Sequence, residues 1–93
     1  MKLPKKIRVG TTDYEVVVRR FDDSGECDTK TGVITLAEDI AVESLLRRTL
    51  IHEILHAINI SASDEKVEYL AGHLDQVLND NPELLRLYGG PND

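Results

Sequence analysis

Cysteine is nearly absent from this chain of 93 residues, in which Cys27 stands alone. One thiol cannot close an intrachain disulfide, and a Cys-rich zinc knuckle is excluded; a reducing compartment suits such a chain. Aromatic residues are scarce as well, with no tryptophan, one phenylalanine and three tyrosines. The basic residues therefore have no aromatics interleaved among them, as a nucleic-acid surface would require. No apolar run is long enough to span a bilayer, and the opening MKLPKKIRVG has lysines but no apolar signal-peptide core behind them. The expectation is a cytoplasmic protein that engages neither membrane nor nucleic acid.

What is present fits one small globular domain over residues 1–93, with 41% apolar and 30% charged residues. The net charge of −6 is uneven: Lys2, Lys5, Lys6, Arg8, Arg19 and Arg20 against Asp13 and Glu15 make +4 for residues 1–20, leaving −10 for the remainder. Because those basic residues alternate with Ile7, Val9, Val16 and Val18, they read as a solvated strand face rather than a nucleic-acid arm.

The first third reads as sheet. Lys6 to Val9 and Tyr14 to Arg20 flank the turn signal Gly10-Thr11-Thr12-Asp13, which makes a hairpin, and Val33 to Leu36 is a third short strand. Asp22 to Gly25 and Asp28 to Gly32 carry loop chemistry. From Val42 to Ile60 there is no glycine or proline, which predicts one long helix. Ser61-Ala62-Ser63 breaks it and caps a second helix from Asp64 to Leu78. Asn81-Pro82 starts a last short helix that stops at Gly89-Gly90-Pro91. Strands first and helices after predict an α+β fold: a small antiparallel three-stranded sheet, a long helix, an antiparallel second helix and a short C-terminal helix.

The long helix carries His52, Glu53 and His56, an HExxH pattern. Residues four apart lie one above the other on a helix, so both imidazoles reach one ion, while the intervening glutamate reaches a water on it. Helix phase gathers Arg48, Thr49, His52, Glu53 and His56 into one polar stripe on a helix otherwise mainly apolar, with Leu45 and Arg47 as exceptions. The stripe is expected to line a cleft. The chain has only three histidines, and two of them sit in this pattern.

Two histidines do not complete a zinc site, which takes three protein ligands and keeps one position open when catalytic. A metzincin pattern would place a glycine and a histidine soon after the motif, but Asn59 and Ala62 stand there. A second helix folding back along the first brings Asp64, Glu65, Glu68 and His73 into consideration. Its apolar face is set by Val67, Leu70, Ala71, Leu74, Val77 and Leu78. Asp64 flanks that face and is the first choice; Glu68, one turn on along the same flank, is the second, and the one that does not bind would orient a histidine. Glu65 points away and His73 lies on the opposite flank.

Four stretches carry a family likeness: Gly32 to Leu36, Thr49 to Ile58, Asp64 to Ala71 and Asp80 to Leu84. Together they resemble the small zincin-type, gluzincin-like metallopeptidases encoded by phages and prophages, and more distantly the repressor-cleaving metallopeptidases of mobile elements. The likeness covers about residues 32–88, and HEILH is its specific part. It implies zinc on His52, His56 and an acid of the next helix, Glu53 as general base, and a host-cytoplasmic setting. The acid position of the related pattern falls on Asp64, an aspartate where the family usually has a glutamate. The resemblance also implies that Val33 to Leu36 lies along the cleft and pairs with an extended peptide substrate.

The function expected is zinc-dependent peptide hydrolysis, with Glu53 passing a proton from water to the leaving amine. So short a chain has few residues for specificity pockets, which favours a selective protease over a digestive one. Tyr69, Tyr88 and His73 are the candidates for a second group on the oxyanion. The alternative is a zinc-containing module that grips a protein without cutting it. An intact Glu53 favours the enzyme, because a structural zinc site needs no base.

Overall fold

The computed structural model describes residues 3–40, 42–59 and 61–89. Four strands precede three helices: β1 (Lys6–Val9), β2 (Thr12–Arg19), β3 (Gly25–Asp28), β4 (Val33–Ala37), α1 (Glu43–Ile58), α2 (Asp64–Asp80) and α3 (Glu83–Arg86). Ile60, Gly90 and Pro91, at which two of the helices are expected to end, lie outside the described residues.

β1 and β2 form the expected antiparallel hairpin, with Val9 paired to Thr12 across a two-residue loop. Gly10 takes φ +61° there while no non-glycine residue among the described residues has positive φ, the pattern of a type II′ turn whose first central position suits glycine. The sheet is otherwise not the one expected. It has four strands in the order β1-β2-β4-β3, and β2 runs parallel to β4, so it is mixed rather than three-stranded and antiparallel.

The additional strand is β3, Gly-Glu-Cys-Asp, which carries too little apolar alternation to read as a strand. It forms a hairpin with β4 through a turn in which Asp28 accepts hydrogen bonds from the backbone N–H groups of Lys30 and Thr31 at 2.9 and 3.2 Å. Those bonds hold the Asp28 carboxyl below its usual pKa. Because the chain reverses twice between β2 and β4, the two inner strands run in the same direction.

The core sits between the sheet and α1: Tyr14, Ile34, Leu36 and Leu50 are buried, with Ile7, Val16 and Ile54 packed around them. α2 folds back along α1 in the expected antiparallel sense, since successive contacts pair His56 with Asp64, His52 with Glu68 and Arg47 with Asp75. Arg47, an exception to the helix stripe, donates from Nε and Nη2 to both oxygens of Asp75 at 2.6 and 3.3 Å. Asn59 ties the α1–α2 junction by accepting from the Ser61 backbone and hydroxyl. Ser63 caps α2 as expected, its side chain accepting from the Lys66 N–H.

The predicted apolar face of α2 is buried only at Val67 and Ala71; Leu70, Leu74 and Val77 are exposed. α1 covers one side of that helix, which leaves the rest of the stripe in solvent. No helix among the described residues is long and apolar enough to cross a membrane.

Candidate metal centre

The stripe predicted on α1 faces two different neighbours. Thr49 and Glu53 lie beneath β3 and are buried, Glu53 at 5% exposure, while His52 and His56 are half-buried and turn toward α2. Gly25 makes the first of these contacts possible. A Cβ at that position would stand 3.1 Å from Glu53 Oε2, 3.1 Å from the Thr49 methyl and 3.1 Å from the Thr35 carbonyl oxygen. Only a residue with no side chain lets the strand approach the helix so closely.

His56 Nε2 lies 2.8 Å from Asp64 Oδ1, and His52 Nε2 lies 3.9 Å from the same oxygen. One ligand atom from each of His52, His56 and Asp64 falls within 4.8 Å of the others, a grouping that could hold a metal ion. Asp64 is highly exposed, which leaves its carboxylate accessible from solvent. Glu68 approaches His52 from the other side of the ring: its Oε2 is 2.9 Å from His52 Nδ1, and its Oε1 accepts from Arg48 Nη2 at 3.0 Å. The structure thus brings four of the five expected site residues into one constellation and gives the two acids different places in it. Asp64 faces both Nε2 atoms, and Glu68 faces Nδ1 of His52.

Glu53 completes the set as the buried carboxylate. Burial pushes its pKa upward, and the charges of Asp64 and Glu26 act in the same direction against the opposing pull of His52 and His56. A carboxyl in that setting holds a proton more readily than an exposed one.

Glu65 and His73 stand apart from this cleft. His73 donates from Nδ1 to the Tyr69 carbonyl at 2.9 Å and packs against the Tyr69 ring, beside a separate shallow groove that also touches Glu65. Of the three oxyanion candidates, neither Tyr69 nor His73 nor Tyr88 lines the cleft; Tyr88 is 89% exposed.

The cleft itself, of about 580 Å³, runs between β3 and the two helices, from Asp23 and Glu26 on the strand side to Asp64 and Glu68 on α2. Leu45, the other exception to the helix stripe, lines one part of it. The strand beside the cleft is β3, not Val33 to Leu36 as the resemblance implied. β4 lies between β2 and β3 and has a partner on each side. The Ala37 N–H bonded to the Ser24 carbonyl at 2.9 Å fixes the phase of the β3–β4 ladder. Bonded and non-bonded pairs alternate in such a ladder, so Glu26 pairs with Thr35 while the main-chain groups of Gly25 and Cys27 point away from β4 along the outer edge.

Two contributors to the cleft are not evident from the sequence. β3 was hidden by its composition, although an isolated glycine in an extended segment is a known sign of close backbone approach. Arg48 was visible in the helix stripe, four residues before His52, but its partner on α2 was not. Comparison with known protein families, with curated proteins and with solved structures finds no match for this chain.

Proposed function

We propose that this chain is a zinc-dependent metallopeptidase in which His52, His56 and Asp64 hold the ion and Glu53 is the general base. The observation that carries the reading is the convergence of two imidazole nitrogens and one carboxylate oxygen within 4.8 Å of one another, next to a buried glutamate. Zinc takes such nitrogen and oxygen donors at about 2.0–2.2 Å in a tetrahedron, which puts neighbouring donors about 3.3 Å apart. The separations of 2.8 and 3.9 Å from Asp64 Oδ1 lie on either side of that figure, and side-chain rotation would have to bring the three atoms, which lie within 4.8 Å of one another, to it. Three protein ligands leave a fourth position open, as catalysis requires and a structural site does not.

Zinc held there supplies Lewis acidity toward a peptide carbonyl and makes water a better nucleophile near neutral pH. The chain's own residues do the rest. Glu53, rooted in α1 and confined by Gly25, accepts the proton of the attacking water on its carboxylate and returns it to the leaving amine. The outward N–H and C=O groups of Gly25 and Cys27 offer main-chain hydrogen bonds to an extended substrate, which would join the sheet as a further strand.

The test is Glu53→Gln, which keeps the shape of the side chain and removes its basicity. Zinc-loaded wild-type protein incubated with a proteome from the native host should generate new peptide N-termini. The glutamine variant, with zinc content and fold retained, should generate them on the order of a hundredfold to ten-thousandfold more slowly. Identical N-terminal profiles for both proteins would defeat the hydrolase reading.

A further inference from the structure

Arg48 lies one turn before His52 on α1, on the same stripe, yet it is not among the residues proposed to touch the ion or the substrate. We infer that Arg48 is a positioning residue: it anchors Glu68, and through Glu68 it sets the tautomer and orientation of His52. The inference rests on the metal reading for its purpose, while its geometry can be examined in metal-free protein.

The contacts form a relay. Arg48 Nη2 donates to Glu68 Oε1 at 3.0 Å, and Glu68 Oε2 lies 2.9 Å from His52 Nδ1. Each carboxylate oxygen thus has its own partner. An ionised carboxylate only accepts hydrogen bonds, so the proton of the second contact belongs to His52 Nδ1. In the neutral ring that choice leaves the lone pair on His52 Nε2, the nitrogen directed toward Asp64. A histidine ligand needs a neutral ring with the metal-facing nitrogen unprotonated, and the group on its other nitrogen normally enforces this.

Glu68 could not be relied on to do this alone. It lies on a helix surface with its side chain 54% exposed, and only one of its oxygens meets His52. The guanidinium occupies the other oxygen and is itself seated against α2 at Gly72, where a Cβ would come 3.4 Å from Nη2, 3.5 Å from Cζ and 3.6 Å from Nε. A side chain larger than a methyl at that position would displace the guanidinium. Arg48 and Glu68 are both about half exposed, so their ion pair adds little to folding stability. The consequence of removing Arg48 should appear at His52 rather than in the fold.

Three variants test this: Arg48→Met, which keeps the aliphatic stem, Arg48→Lys, which keeps the charge, and Glu68→Ala. In metal-free wild-type protein, long-range nitrogen–proton NMR should show His52 protonated at Nδ1, and Arg48→Met should introduce a substantial Nε2-protonated fraction. Titration with zinc should show Arg48→Met and Glu68→Ala each weakening affinity roughly tenfold to a hundredfold. The double variant should bind no worse than Glu68→Ala alone, because Arg48 acts through Glu68. Arg48→Lys should recover part of the loss, and it decides the matter by the same readouts if Arg48→Met does not fold. An unchanged His52 tautomer in the arginine variants, or losses that add in the double variant, would overturn the inference. Failure of wild-type protein to bind zinc would defeat the metal reading instead, and the tautomer measurement would still judge Arg48.

Discussion

Asp64 reaches back across the α1–α2 junction to place Oδ1 2.8 Å from His56 Nε2, eight residues earlier in the chain. The short connection through Asn59 and Ser61 makes this meeting possible by turning the first residue of α2 onto the last turn of α1. Glu65, next in sequence, is carried about 100° round the helix and does not enter the cleft.

That phase difference gives the first prediction. Asp64→Ala should abolish stoichiometric zinc binding, whereas Glu65→Ala should leave it intact, both measured by metal analysis after gel filtration. Equal losses would mean that the carboxylate acts through general charge and not as a ligand.

Zinc should also stabilise the fold, because its ligands come from two helices that meet only in the folded chain. At free zinc a hundredfold above the dissociation constant the gain is about 2.7 kcal/mol. For a domain of 93 residues this corresponds to roughly 10 to 20 °C in melting temperature, reversed by chelator. Calorimetry showing the same shift in His52→Ala would place the binding elsewhere.

Two glycines should respond in opposite directions to alanine. At Gly25 the new Cβ meets three atoms at 3.1 Å, one of them a backbone oxygen of the inner strand β4, so β3 must move away from Glu53. A cost of about 1–3 kcal/mol is expected, as for other overpacked sites. At Gly72, inside α2, the nearest atom is at 3.4 Å and the helix gains about 1 kcal/mol from losing a glycine. Denaturant midpoints of the two variants check both signs.

How much of this was legible in the sequence follows from what each residue must satisfy. β1, β2 and β4 announce themselves because one face of each is apolar and feeds the core through Ile7, Tyr14, Ile34 and Leu36. The HExxH stripe is equally plain, since its spacing matches the helical period. β3 was not legible: its inward positions are Gly25 and Cys27, one chosen for the lack of a side chain and the other small. With β3 hidden, the parallel pairing of β2 and β4 could not be read either, because it depends on a reversal through a strand that looked like loop. The site residues of α2 were found as candidates from helix phase, but their separation into Asp64 on Nε2 and Glu68 on Nδ1 is tertiary information.

Stability should fall on the alkaline side. Burial pushes the Cys27 thiol up to about 11, with Glu53, Asp28 and Glu26 adding to the effect. Burial also raises the Tyr14 phenol, with Cys27 contributing. Both groups hold their protons more tightly folded than unfolded. From about pH 9 to 11 the folded chain therefore carries more bound protons than the unfolded one, and stability declines as pH rises through that window. Cys27→Ala and Tyr14→Phe should each flatten the decline, measured by urea midpoints between pH 7 and 10.5. A midpoint in wild-type protein independent of pH over that range would contradict the assignment.

The central claim, that His52, His56 and Asp64 hold one zinc ion, is tested most directly by anomalous diffraction at the zinc edge from crystals grown with zinc. The predicted result is a single peak within about 2.0–2.2 Å of both Nε2 atoms and an Asp64 oxygen, with Glu68 remaining on His52 Nδ1. The absence of a peak in the cleft, or a peak bound by Glu68 with Asp64 turned to solvent, would contradict it.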